Sequence, residues 1–165
     1  MREDLSKKGF KQSHEDDVIC RFRFDDIKVD VMATKAIGWA PANPWFESGF
    51  KSAIPRNVDG ALIKILTLPY FLATKFSAFD DRGGKDPRFS TDFEDITYIL
   101  NYTSNFKEQI LDADELVQAY LKDAFLKILD NSLLQEAILA QIYYEEQDIR
   151  FENIITQLKE IVFAI

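Results

Sequence analysis

The chain has 165 residues, 47% hydrophobic and 29% charged, and a formal net charge of −8 from 20 basic and 28 acidic side chains. That apolar content excludes intrinsic disorder, and a single Cys and a single His exclude a disulfide framework and a Cys- or His-clustered metal centre. The acidic balance argues against strong non-specific nucleic-acid binding, which needs clustered Lys and Arg; no apolar run approaches the ~20 residues of a membrane span, and Met1–Lys8 lacks the apolar stretch of a secretory leader, so a cytoplasmic protein is expected.

The pattern changes near residue 69, from short β-rich runs to helical spacing almost to the end. Residues 2–9 suit a short helix. Residues 18–24 and 27–32 then alternate with period two around Asp25-Asp26, which predicts a hairpin. Its register pairs positions whose numbers sum to 51: Arg21 with Asp30, Phe22 with Val29, Arg23 with Lys28. Cys20, Phe22, Phe24, Ile27, Val29 and Val31 share one face, and a slip by one residue would invert both faces. Gly38, Trp39, Pro41, Asn43, Pro44 and Trp45 mark a shaped loop leading into a short helix from Pro44. A second hairpin is expected from Ile54 to Thr67, turning at Asp59-Gly60, with Pro55 placing its strand at an edge.

Pro69 opens a helix expected to run to about Asp80, followed by a charged loop over 81–90. Thr91 to Glu94 has capping-box spacing, with Thr91 as N-cap of a helix to about Tyr102. Asp112-Ala113-Asp114-Glu115 starts the next helix, which is expected to bury Val117, Leu121, Ala124, Phe125 and Ile128. Ser132 to Gln135 is read as another capping box opening a helix to about Tyr144, and a last helix spans about 146–162 with Phe151, Ile154, Ile155, Leu158, Ile161 and Val162 on its stripe. The fold class is therefore α+β: a small mixed sheet of two β-hairpins with helices, then a C-terminal helical lobe.

A few residues could carry chemistry. Asp30 sits mid-strand on the polar face, where a rigid carboxylate could bind a metal ion; an ion pair with Arg21 is the plainer reading, favoured on spacing alone. Lys75, beside a buried stripe, could hold a phosphate as a point charge or simply be a surface lysine. Arg82, Lys85 and Arg88 could bind phosphate, whereas Thr91, Asp92 and Glu94 are accounted for by helix capping. Capping does not explain Asp95. His14 reads as an exposed turn residue and Cys20 as inert core.

Taken together, Ile27–Met32, the Gly38…Asn43…Trp45 loop, the Val58-Asp59-Gly60 turn, Leu66–Phe79, Asp81-Arg82-Gly83 and Ser90–Ile96 resemble segments of bacterial minimal nucleotidyltransferases. The nearest group is the one that includes the AbiEii/AbiGii-type toxins. The resemblance covers about residues 5–102. It implies a palm-like α/β part over 1–69 and a helical lobe over 70–165. It also implies metal-dependent transfer of a nucleotide from a nucleoside triphosphate. Asp30 matches the third metal carboxylate, Lys75 the phosphate-steadying lysine, and Asp92 and Asp95 the acidic pair of the next helix, with Arg82 also on the nucleotide. The implied cofactor is Mg²⁺, which neutralises the triphosphate and activates the attacking oxygen.

The family signature begins with Gly-Ser at a helix start and an Asp-x-Asp strand, and this sequence contains neither. The expectation is a protein short of that segment, keeping one carboxylate of three, binding Mg²⁺ weakly and inactive or incomplete as this chain. The alternatives are an active enzyme using Asp30, Lys75 and Asp92, and a non-catalytic oligomerising or partner-binding module. A missing sheet section would leave an open edge, so a homo-oligomer is expected, with an antitoxin or completing chain as a further partner.

Overall fold

The computed structural model describes residues 2–12, 20–36, 42–82 and 86–165. Val18, Ile19, His14, Gly38, Trp39, Pro41, Gly83 and Lys85 lie outside the described residues. The chain divides into two compact units, Met1–Ala42 and Asn43–Ile165.

The first unit contains helix α1 (Arg2–Lys7) and strands β1 (Arg21–Phe24) and β2 (Ile27–Asp30). The strands pair antiparallel in the expected register, Arg21 with Asp30, Phe22 with Val29, Arg23 with Lys28 and Phe24 with Ile27. Asp25 turns the hairpin at φ 50°, a left-handed conformation that Asp tolerates better than most residues. Lys11 and Arg23 exchange backbone hydrogen bonds of 2.8 and 2.7 Å, covering part of the outer edge of β1. Phe22 is buried, Phe24 packs on Phe10 at 5.1 Å between ring centroids, and Ile27 stays exposed.

The second unit carries α2 (Phe46–Lys51), β3 (Ile54–Val58) and β4 (Ala61–Ile65), then α3 (Leu68–Arg82), α4 (Thr91–Tyr102), α5 (Phe106–Leu111), α6 (Glu115–Asp130), α7 (Ser132–Gln141) and α8 (Gln147–Ala164), with 3₁₀ turns at Pro87–Phe89 and Tyr144–Glu146. The α+β class is observed. In place of one expected sheet, each hairpin forms its own two-stranded antiparallel sheet among the described residues. β3 and β4 pair from Ile54 with Ile65 to Val58 with Ala61, around Asp59 (φ 50°) and Gly60 (φ 85°). Two positive φ values in a two-residue loop make a type I′ turn, which suits strand twist.

The core of this unit is helical. Val117, Leu121, Phe125 and Ile128 of α6 are fully buried, as their spacing predicts, against Leu72 of α3, Phe93 and Ile96 of α4, and Ile138, Leu158 and Ile161. Trp45 joins this core, its ring 4.8 Å from that of Tyr120. Asn43 fixes the entry to α2 by donating from Nδ2 to the carbonyl of Thr74 at 2.9 Å and accepting from the Trp45 amide at 3.0 Å.

Both expected capping boxes shift by one residue. Ser90, not Thr91, caps α4, its Oγ accepting from the Phe93 amide. Asn131, not Ser132, caps α7, accepting from the Leu133 amide at 2.9 Å, while Gln135 donates instead to the carbonyls of Ile128 and Leu129. In each case a capping residue stands one position earlier, and the chain uses it to gain one more helical residue.

Candidate functional site

The charged residues singled out in the middle of the sequence meet on adjacent helices. α3 packs directly on α4. Lys75 projects from the middle of α3, and its Nζ donates to Asp95 Oδ2 at 2.5 Å and lies 3.7 Å from Asp92 Oδ1. About two turns further along, Arg82 closes the row. Its Nε donates to Asp92 Oδ2 at 2.9 Å and its Nη2 to Asp92 Oδ1 at 3.2 Å. The spacing explains the convergence: Asp92 and Asp95 stand three apart, on one face of α4, and Lys75 and Arg82 stand seven apart, on one face of α3.

Burial differs sharply within the row. The Asp92 side chain is 5% exposed, whereas that of Arg82 is 69% exposed. A buried carboxylate requires partners, and Asp92 receives a two-pronged one. Asp92 stands in the first turn of α4, as the helix-start reading expects, and serves in addition as the anchor of the cluster. The paired carboxylate in turn pushes the Arg82 guanidinium to still higher basicity, with a smaller contribution from Asp81. Arg82 and Asp81 belong to α3, so the helix runs two residues beyond its expected end and brings the guanidinium to α4.

Lys75 has a further contact that spacing could have shown. Its Nζ lies 5.6 Å from the centroid of the Phe71 ring, one helical turn before it. Arg88, another phosphate candidate, is bound to Asp86 by Nε at 2.9 Å and Nη2 at 2.6 Å, which fixes the 3₁₀ turn. No sequence signal marks the pairing of Tyr70 with Asp114: the hydroxyl donates to Oδ2 at 2.7 Å across 44 residues.

Asp30 belongs to the first unit. Both of its oxygens are engaged by Arg21, Nε to Oδ1 at 2.8 Å and Nη2 to Oδ2 at 2.9 Å. This hydrogen-bonded fork, the largest effect on the group, lowers the Asp30 pKa from its ordinary value of 3.8. Mg²⁺ requires near-octahedral oxygen ligation, commonly through one or two carboxylates with substrate phosphates. Among the described residues no group of three or more His, Cys, Asp or Glu could hold a metal ion. Asp30 is committed to a guanidinium and Asp92 to Arg82 and Lys75, so the described residues do not fit a protein-made magnesium site.

No helix among the described residues is long and apolar enough to cross a membrane. No protein-family model, no curated protein and no solved structure matches the chain.

Proposed function

We propose that this chain is a nucleotidyltransferase-like protein that holds a nucleoside triphosphate at the α3–α4 charge row and does not transfer the nucleotide by itself. The observation that carries this reading is the convergence of Lys75, Arg82, Asp92 and Asp95 on one row of charges. The resemblance singles out these same four residues. Arg82 offers the accessible donors: two guanidinium nitrogens bind Asp92, and the group otherwise faces solvent. Planar guanidinium is well matched to phosphate oxygens. Lys75 adds a point charge, and the two aspartates hold both cations in position. The row contains two cations and two carboxylates, so it is neutral overall and gives no deep electrostatic well; weak, millimolar-range binding follows.

The lack of transfer rests on the carboxylates. Asp30 is closed off by Arg21, and no step is assigned to a metal. Equilibrium dialysis with labelled ATP tests binding, and incubation with labelled nucleotide and an acceptor mixture tests transfer. Saturable binding without incorporation is expected; absence of binding at millimolar ATP contradicts the proposal. A second reading, a partner-binding module, is favoured by the exposed apolar side chains of the β3–β4 hairpin, among them Val58, Leu62, Ile63 and Ile65.

A further inference from the structure

The stripe of α4 that carries the charge row continues past its ionic part. Asp95, Tyr98 and Tyr102 follow one another at helical spacings of three and four residues. The order along α4 runs from Arg82 on Asp92, through Lys75 between Asp92 and Asp95, to Tyr98. From Asp92 to Tyr98 the helix rises about 9 Å, at ~1.5 Å per residue.

Tyr98 is 65% exposed, yet its ring is braced. It lies 4.8 Å from the Tyr102 ring, centroid to centroid. The Arg150 guanidinium sits 5.3 Å from the centroid of Tyr102, and Arg150 is itself tied to Glu146 through Nε and to Asn101 Oδ1 at 3.4 Å. So α8 steadies Tyr102, and Tyr102 steadies Tyr98. Helical side chains lean toward the N-terminus of their helix, which tilts Tyr98 toward Asp95 and sets Tyr102 behind it. A tyrosine that served packing alone would sink its ring into the core, as Tyr70 does. Asp95 has spare capacity of a matching kind. Its Oδ2 accepts from Lys75, and its Oδ1 has no partner among the described residues.

We propose that the row selects a ribonucleoside triphosphate by its base and ribose: the base stacks on Tyr98, the free Oδ1 of Asp95 accepts from a ribose hydroxyl, and Lys75 and Arg82 take the phosphates. This rests on the nucleotide reading of the row and adds what selects the ligand. Two cations and two carboxylates leave the row neutral, so charge alone distinguishes a nucleotide poorly from any other polyphosphate. Stacking supplies that distinction, and it serves every base because each has a π face. A carboxylate is the usual acceptor for ribose hydroxyls. The order on α4 also places Arg82 and Asp95 at opposite sides of Lys75, which keeps the phosphates away from the half-exposed acid.

The test titrates ATP, 2′,3′-dideoxy-ATP and inorganic triphosphate into the full chain, Tyr98→Ala and Tyr98→Phe, with folding checked by circular dichroism. ATP is expected to bind about tenfold more tightly than inorganic triphosphate, and dideoxy-ATP several-fold more weakly than ATP. Tyr98→Ala should remove about tenfold from ATP and leave inorganic triphosphate unchanged; Tyr98→Phe should retain ATP binding. The adenine ring protons should shift upfield in the nuclear magnetic resonance spectrum with the parent chain and with Tyr98→Phe, and not with Tyr98→Ala. ATP and inorganic triphosphate binding alike, or ATP binding unchanged in Tyr98→Ala, overturns the proposal while leaving phosphate binding at the row intact. Equal loss of both ligands in Tyr98→Ala also overturns it. Absence of binding by all three ligands removes the nucleotide reading and this inference together.

Discussion

Arg82 grips the buried carboxylate of Asp92 with two hydrogen bonds, 2.9 and 3.2 Å long, while its own side chain remains largely in solvent. The acid is the group that cannot be left alone. Asp92→Ala removes the common anchor of Lys75 and Arg82, and Arg82→Ala leaves a buried carboxylate with Lys75 at 3.7 Å as its remaining ionic partner. Arg82→Ala is expected to cost about 1–3 kcal/mol. Asp95→Asn, on the half-exposed partner, should cost about 0–1 kcal/mol. Urea denaturation of both variants checks the ordering, with a lower midpoint and unchanged slope for the first.

The Arg21–Asp30 fork makes the first hairpin sensitive to acid. The folded pKa of Asp30 is depressed below 3.8, chiefly by the hydrogen bonds from Arg21. Its stabilisation is therefore fully present above that ordinary value and is lost as pH falls through the folded pKa. Amide exchange at Phe22 and Val29 should accelerate as pH is lowered below about 4, after correction for intrinsic rates. Asp30→Asn should show the faster exchange already at neutral pH. Equal protection of variant and parent at neutral pH would contradict the assigned role.

Alkaline titration reads the second unit. Burial pushes the Tyr120 hydroxyl up to about 12, with Asp80 adding to the rise. Tyr70 is also raised, by burial and then by its hydrogen bond to Asp114. Tyr120 stays protonated in the folded chain where an unfolded tyrosine has ionised. Its contribution to stability is complete below the ordinary value of 10.0 and falls as pH rises through about 12. Ultraviolet difference absorbance should show a late-ionising fraction that shrinks in Tyr120→Phe and keeps the part due to Tyr70.

The helical core predicts a steep contrast along α6. Leu121 is fully buried and Leu116 is largely exposed. Leu121→Ala should cost about 2–5 kcal/mol through lost transfer energy and the cavity left behind. Leu116→Ala should remain within about 0.5 kcal/mol. Thermal or urea unfolding of the two variants separates them.

Where one face of an element is buried, its pattern is readable from the sequence. The sum-51 register of the first hairpin and the α6 stripe both follow from periodicity, because a slip or rotation would expose the apolar set. Helix α5, Phe106–Leu111, is too short to show a period, and it begins after Asn105 in a left-handed conformation. The caps at Ser90 and Asn131 were hidden because two capping-type residues stand side by side, and only the packed geometry chooses between them. The same limit applies to the site. Lys75 with Phe71 and Asp92 with Asp95 are legible as helical spacings. Arg82 on Asp92 spans two helices and depends on how far α3 runs. Tyr70 on Asp114 depends on tertiary packing alone. One joined sheet was expected from two hairpins, yet among the described residues each named strand pairs within its own two-stranded sheet.

The central claim, that the α3–α4 row holds a nucleoside triphosphate, is tested most directly by titrating ATP into the chain and into two variants whose folding is verified by circular dichroism. Arg82→Ala alters the row, and Lys127→Ala alters the separate ion pair with Asp80 at 3.1 Å. The account predicts millimolar-range binding that weakens about tenfold in Arg82→Ala and is unchanged in Lys127→Ala. Equal loss in both variants, or no binding by the parent chain, would contradict it.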